Sequence, residues 1–259
     1  MISRLGGSLF GVEIIGHRGA SFDAPENSLT SMKLAWKQNA DAIETDIHLS
    51  KDDKIVVMHD FDTKRISGVD KNIIDQTWEE LQKLDVGKWK GEPFAGEKIP
   101  TLDSFFTTIP DGKSIFTEIK IPETKILSEL DKAMTASGKK PEQLRIITFH
   151  YEMAKAAKEK FPAHPVYWLA DWKKDKQTGE YPKLDDLIQK AKAANLDGLD
   201  LNFHFPIDKT FVTKIHQAGL KLYSWTVDDP ETARHEIEAG VDGITTNRPQ
   251  FLREQLSNK

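Results

Sequence analysis

The chain of 259 residues carries 36 Lys and Arg against 41 Asp and Glu, a formal net charge of −5, with 38% hydrophobic and 30% charged residues. That balance describes a chain with enough apolar mass for a sizeable core and no overall attraction to nucleic acid or to an anionic membrane surface. No apolar run reaches membrane-spanning length, so no stable membrane insertion is expected, and the absence of cysteine excludes disulfides, thiolate metal sites and a cysteine nucleophile. Residues 1–11 lack a signal-peptide core and cleavage site. A cytoplasmic location is the expectation, with a periplasmic or secreted one the alternative if a signal peptide has been removed.

Val12 to Gly16 reads as a short strand ending in His17-Arg18-Gly19-Ala20. After a polar loop with Pro25-Glu26-Asn27, Ser28 is placed to cap a helix whose Leu29, Met32, Ala35 and Trp36 keep helical spacing. Ala42 to Leu49 alternates: Ile43, Thr45 and Ile47 share one face, and Glu44 and Asp46 share the other. A polar turn separates it from Ile55 to Met58, which ends at His59-Asp60. So short a connection demands an antiparallel hairpin, since parallel neighbours need a crossover of about a dozen residues. The second run is therefore an appendage.

From about 61 to 100 the pattern follows no single period, apart from a capping box at Thr77-Trp78-Glu79-Glu80, and reads as a small inserted subdomain. Regular alternation then resumes. Strands at 114–120, 144–149, 165–169, 198–202, 221–227 and 243–246 are each followed by a helical stretch, and His48 falls on the outward run of the hairpin. At the helix-to-strand joints, Asn195, Gly219 and Gly240 stand where a helix ends in the left-handed region. Without the hairpin appendage there are eight strands, each followed by a helix. This is the pattern of an α/β (β/α)8 TIM barrel, a single domain over 1–259. No glycine-rich phosphate loop follows the first strand, which disfavours an open doubly wound sheet.

Function in such a barrel sits at the carboxyl ends of the strands. Those ends carry His17, Arg18, Glu44, Asp46, Glu118, Lys120, Trp225, Asn247 and Arg248, and the hairpin returns His59 toward them. Two carboxylates about 4 Å apart repel by about 4 kcal/mol at an intermediate dielectric. Glu44, Asp46 and Glu118 together therefore call for a cation or for protonation. An all-oxygen donor set suits Mg²⁺ or Ca²⁺, with Mn²⁺ a further candidate, rather than zinc. The structural alternative is a salt-bridge network with Arg18 and Lys120. His17 and His59 have the chemistry of a general acid and base. Arg18 and Lys120 suit an anionic phosphoryl group, and Trp225 either covers a substrate or packs in the core.

Taken in order, His17-Arg18-Gly19, Pro25-Glu26-Asn27-Ser28, Glu44-x-Asp46, His59-Asp60, Glu118-x-Lys120, Trp225-Thr226-Val227 and Thr246-Asn247-Arg248-Pro249 resemble the motifs of the glycerophosphodiester phosphodiesterase family, within the PLC-like phosphodiesterase superfamily. The resemblance runs from His17 to Pro249. Ser28 stands where that family usually has Thr, and Asp228 where Asn often follows Trp-Thr-Val.

The resemblance implies metal-dependent hydrolysis of a small-molecule glycerophosphodiester to glycerol 3-phosphate and an alcohol. His17 and His59 would be acid and base, Glu44, Asp46 and Glu118 would hold one divalent cation, and Arg18 and Lys120 would bind phosphate. Glu26 and Asn27 would fix Arg18 or His17, and the inserted subdomain would roof the site. Two alternatives are a lysophospholipase D-like reaction on lipid phosphodiesters, with Trp89, Phe94, Phe105 and Phe106 at an apolar entrance, and a non-catalytic phosphate-ester binding protein.

Overall fold

A computed structural model of the chain describes residues 11–257. The stretch read for a signal peptide lies almost wholly outside the described residues. Eight strands close into a parallel barrel: β1 (Glu13–Gly16), β2 (Ala42–Leu49), β4 (Ser114–Ile119), β5 (Leu144–Thr148), β6 (Val166–Ala170), β7 (Gly198–Asn202), β8 (Lys221–Trp225) and β9 (Gly243–Thr246). Closure comes from β1, which pairs in parallel with both β2 and β9. The remaining strand, β3 (Ile55–Val57), is antiparallel to β2, with Ile47 opposite Val57 and Leu49 opposite Ile55. The barrel count of eight therefore holds once the hairpin is set aside.

The helices in chain order are α1 (Leu29–Lys37), α2 (Lys64–Ser67), α3 (Trp78–Leu81), α4 (Leu102–Phe106), α5 (Ile126–Ser137), α6 (Tyr151–Lys160), α7 (Leu184–Ala193), α8 (Lys209–Gln217), α9 (Pro230–Ala239) and α10 (Pro249–Ser257). Local chemistry sets their ends. Ser28 caps α1 by accepting from the Ser31 amide, and Asp208 and Asp229 cap α8 and α9 in the same way. Asn195, Gly219 and Gly240 adopt φ of 51°, 78° and 98° at the joints where the sequence placed left-handed residues. Ile126, Leu127, Leu130, Ala133 and Met134 form the buried stripe of α5.

Alternation along the barrel strands divides the apolar residues into two sets. One set, including Ile14, Ile43, Ile115, Ile146, Val166, Leu199, Leu222 and Ile244, belongs to the continuous core shared with the helices. The other fills the barrel, where Ile15, Phe116, Tyr167 and Tyr223 come from alternate strands, the arrangement by which such barrels stack four side chains per layer. The three rings lie with centroids 4.9–5.7 Å apart. Below them Arg145 places its guanidinium 4.8 Å from the Phe116 centroid, donates to the Tyr223 hydroxyl at 3.1 Å and pairs with Glu13. Gly243 is required by this packing, since a Cβ there would come within 2.7 Å of the Tyr223 ring. The barrel is thus plugged by aromatics from below, and its charged residues stand above the plug. Among the described residues, no helix is long and apolar enough to cross a membrane.

Residues 61–100 pack beside the barrel mouth through Ile66, Ile73, Leu81, Val86 and Ile99, which cluster with Val56 and Met58 of the hairpin. Lys90 donates to the Ser21 carbonyl, and Glu97 accepts from the Thr30 hydroxyl of α1 at 2.8 Å. No residue of this stretch lines the cavity over the barrel. The expected roof is therefore a side brace. Part of its apolar surface is spent on the hairpin, while Phe61, Val69, Ile74 and Trp89 remain exposed.

Candidate active site

The carboxyl ends of the strands surround a cavity of about 250 Å³ lined by His17, Arg18, Glu44, His59, Glu118, Lys120, Ile147, Phe149, Leu169, Asp171, Lys173, Asp200, Trp225, Thr226 and Thr245. The inward aim of Glu44 and Asp46 follows from the register of β2 with β4, which sets Asp46 beside Glu118. One oxygen from each of Glu44, Asp46 and Glu118 falls within 4.8 Å of the others, and all three residues are buried.

Buried like charges at this spacing strain one another, and their protonation reflects it. Burial, Asp46 and Glu118 together hold the Glu44 carboxyl well above the usual range. Burial and Asp46 push Glu118 up to about 7, against the pull of Lys120. Asp46 goes the other way: burial would raise it, but Arg18, Lys120 and His59 outweigh that and hold it low. Glu44 Oε1 and Asp46 Oδ1 are buried and accept no hydrogen bond. Three buried carboxylates that each bring an oxygen within 4.8 Å of the others, with Glu44 Oε1 lacking any donor, fit a hard divalent cation, so the donor set matches the ion expected from it.

The cations occupy the rim of this cluster. Lys120 Nζ lies 2.8 Å from Glu118 Oε1 and 3.3 Å from Asp46 Oδ1. Arg18 donates its backbone N–H to Glu44 Oε2 at 3.0 Å and its Nη1 to Glu26 Oε1 at 2.9 Å, with Nε 3.3 Å from Asp46 Oδ2. To do so Arg18 adopts φ of 52°, an uncommon conformation for a residue with a side chain, and Asn27 adopts 55°. Gly19 follows at 84°, where a Cβ would meet Ser31 Oγ at 2.5 Å. This turn can form only because α1 packs directly against a bare backbone.

Glu26 and Asn27 both hold Arg18, Glu26 through its carboxylate and Asn27 by donating its backbone N–H to the Arg18 carbonyl at 3.1 Å. The Asn27 side chain also bridges β2, donating to Asp46 Oδ2 at 2.7 Å and accepting from the Thr45 hydroxyl at 2.9 Å.

Each of the two histidines has one ring nitrogen tied and the other free. His17 Nδ1 lies 2.7 Å from Asn247 Oδ1, an acceptor, which leaves Nε2 bare and 3.9 Å from Glu44 Oε2. Burial and Arg18 push His17 down to about 4. His59 Nδ1 donates to Asp60 Oδ1 at 2.7 Å, and Asp60 is clamped by Arg65, whose Nη2 also reaches Glu26 Oε1 at 2.7 Å. The inserted stretch thus contributes to the site through Arg65, by fixing the partners of His59 and Arg18.

His48 is not outward. It is buried, and its Nε2 donates to the His59 carbonyl at 3.2 Å. The two-residue period that aims Glu44 and Asp46 inward continues to His48, and the chain around 59–61 covers it, with the Phe61 ring 5.0 Å away. Burial lowers its imidazole from 6.5 to about 4. The unfolded chain therefore takes up a proton first. This stabilising contribution is whole above pH 6.5 and is lost as pH falls through about 4, a loss of about 2 kcal/mol by pH 5. Urea midpoints at pH 7 and pH 5 should differ by less in His48→Gln than in the parent.

Trp225 stands between its two sequence readings: half-buried, it donates Nε1 to the Asp200 carbonyl at 3.1 Å and meets Phe149 edge-on at 5.4 Å. His150 and His204 do not line the cavity: His150 Nε2 lies 3.3 Å from the Lys120 carbonyl and His204 Nδ1 2.7 Å from Asn202 Oδ1. Asp200 has a buried Oδ1 without a partner, and burial and Glu118 hold its carboxyl well above the usual range. Lys173 stands with Asp171, Phe149 and Leu169 where the cavity meets a second hollow of about 640 Å³.

The model of the glycerophosphoryl diester phosphodiesterase family matches residues 17–251. A glycerophosphodiester phosphodiesterase of Caldanaerobacter subterraneus subsp. tengcongensis is 34% identical over 246 residues, covering 92% of this chain and 95% of that one. A Bacillus subtilis glycerophosphodiester phosphodiesterase is 29% identical over 253 residues, covering 92% and 84%. Among solved structures, an Oleispira antarctica phosphodiesterase in complex with the product sn-glycerol-3-phosphate superposes with a TM-score of 0.85 at 26% identity, covering 95% of this chain and 97% of that one. The motif order, the barrel and the cluster at its mouth agree with these likenesses: the chain belongs to the glycerophosphoryl diester phosphodiesterase family.

Proposed function

We infer that this chain hydrolyses glycerophosphodiesters to glycerol 3-phosphate and a free alcohol, with one Mg²⁺ or Ca²⁺ held by Glu44, Asp46 and Glu118. The observation that carries this reading is the convergence of three buried carboxylates, two singly tied histidines and two cations on one cavity. When bound, the cation would supply charge for the phosphoryl oxygens and lower the pKa of a hydroxyl.

The protein's own groups do the rest. Arg18 and Lys120 grip the phosphoryl oxygens. His17 Nε2, bare because Nδ1 is tied to a neutral amide, takes the proton of the attacking hydroxyl. His59, whose Nδ1 donates to Asp60 and whose imidazole is held by burial below its ordinary value against the pull of Asp46 and Asp60, gives its Nε2 proton, when charged, to the oxygen of the departing alcohol. The hollow shared through Phe149, Leu169, Asp171 and Lys173 offers that alcohol an exit.

The lipid reading needs an apolar entrance, and none of the four aromatics it relies on lines the cavity. Phe105 and Phe106 are in the core, and Trp89 lies against the charged ends of Arg65 and Lys90. Incubation with glycerophosphoethanolamine, with and without EDTA, tests the proposal. Glycerol 3-phosphate should appear, and chelator should abolish its release with recovery on adding Mg²⁺ or Ca²⁺. Chelator-insensitive release, or binding without turnover, contradicts it.

A further inference from the structure

The Asp228 side chain lies outside the cavity lining, yet it collects three hydrogen bonds from the turn after β9. Its Oδ1 accepts from the Thr246 hydroxyl at 2.8 Å and from the Asn247 amide N–H at 2.8 Å, and its Oδ2 accepts from Asn247 Nδ2 at 2.6 Å. A carboxylate can only accept. It therefore fixes which end of the Asn247 side chain faces it, and sends Asn247 Oδ1 the other way. That oxygen receives the Ser21 hydroxyl at 2.8 Å and His17 Nδ1 at 2.7 Å.

We propose that Asp228 is a positioning residue that sets the tautomer of His17 through Asn247. The chain of donors has one consistent direction. Asp228 accepts from the Asn247 amide, Asn247 Oδ1 accepts from His17, and His17 must then carry its proton on Nδ1 with Nε2 bare. Which imidazole nitrogen is protonated is decided by the partner of the other. The relay joins residues 230 positions apart and lies across the seam where β9 meets β1. The inference rests on the role given to His17 above.

The donor logic predicts the effect of change. In Asp228→Asn the amide nitrogen at 228 would face Asn247 Nδ2, donor against donor. Turning the Asn247 amide relieves this, but presents Nδ2 to His17, which then holds its proton on Nε2, where it cannot act as base. Adding Asn247→Asp restores the direction. The amide at 228 donates to the new carboxylate, which accepts from His17 Nδ1.

The test is ¹⁵N NMR of histidine-labelled protein at neutral pH in Mg²⁺ buffer, with His17 assigned by its loss in His17→Gln, alongside kcat and KM. Asp228→Asn should exchange the protonated and bare signals of His17 and lower kcat about 10–100-fold with little change in KM. The double variant should restore the parental tautomer and most of kcat. An unchanged His17 tautomer in Asp228→Asn, or no recovery in a folded double variant, overturns the relay. Tautomer exchange with full kcat would leave the relay standing and overturn the role given to His17. The NMR readout does not depend on turnover, so the two failures are told apart.

Discussion

Substituting His17 with glutamine is expected to lower kcat by about 10²–10⁴-fold, the usual worth of a positioned acid or base, with metal affinity and fold retained. His17 Nε2 is the one bare imidazole nitrogen beside Glu44; Asn247 ties the ring at Nδ1, and the backbone amide is anchored to the Thr246 carbonyl at 2.8 Å. Glutamine keeps a polar group near Asn247 but offers no base. His59→Gln should cost a similar factor by removing the proton donor that Asp60 and Arg65 orient. The double variant should be little worse than either single one, because the two rings serve one transfer and their effects do not add. Single-turnover release of glycerol 3-phosphate measures all three. Nearly multiplicative losses would mean that the two rings contribute independently and do not act as a unit.

The second large effect concerns the carboxylates. Without a cation, Glu44 and Glu118 have folded pKa values raised above those of the unfolded chain. Their contribution is stabilising below the unfolded value and is lost as pH rises through the folded one, so the metal-free protein carries a strained site at pH 8. Two consequences follow for Glu44→Gln. The metal-free variant should melt no lower than the parent at pH 8, since the substitution removes a buried like charge. The parent should gain about 2.7 kcal/mol from Mg²⁺ or Ca²⁺ at a hundred times Kd, roughly 5–10 °C in Tm, and the variant should gain little of it. A variant that keeps the full shift would place the cation elsewhere.

The sequence alone was enough for the barrel because its strands repeat with helices between them, and for the acidic cluster because a two-residue period aims alternate side chains together. The hairpin was legible from the shortness of residues 50–54. What the sequence concealed was pairing across distance. Asn247 and Asp228 stood at strand ends with no local sign that one faces His17 and the other orders it. Arg65 lies in a stretch without a period, so its reach to Asp60 and Glu26 could not be read. His48 is the instructive case. Its parity with Glu44 and Asp46 points inward, and the residues around His59, far from it in the pattern of the strand, bury it there.

The central claim is that one divalent ion sits among Glu44, Asp46 and Glu118. A crystal structure of the protein grown with Mn²⁺, with the ion located by anomalous scattering, tests it most directly. The account predicts a single strong peak with an oxygen of each of the three carboxylates at about 2.0–2.6 Å, the range for hard cations with oxygen ligands. A peak that misses any of the three, or no peak at saturating Mn²⁺ in a protein that still releases glycerol 3-phosphate, contradicts it.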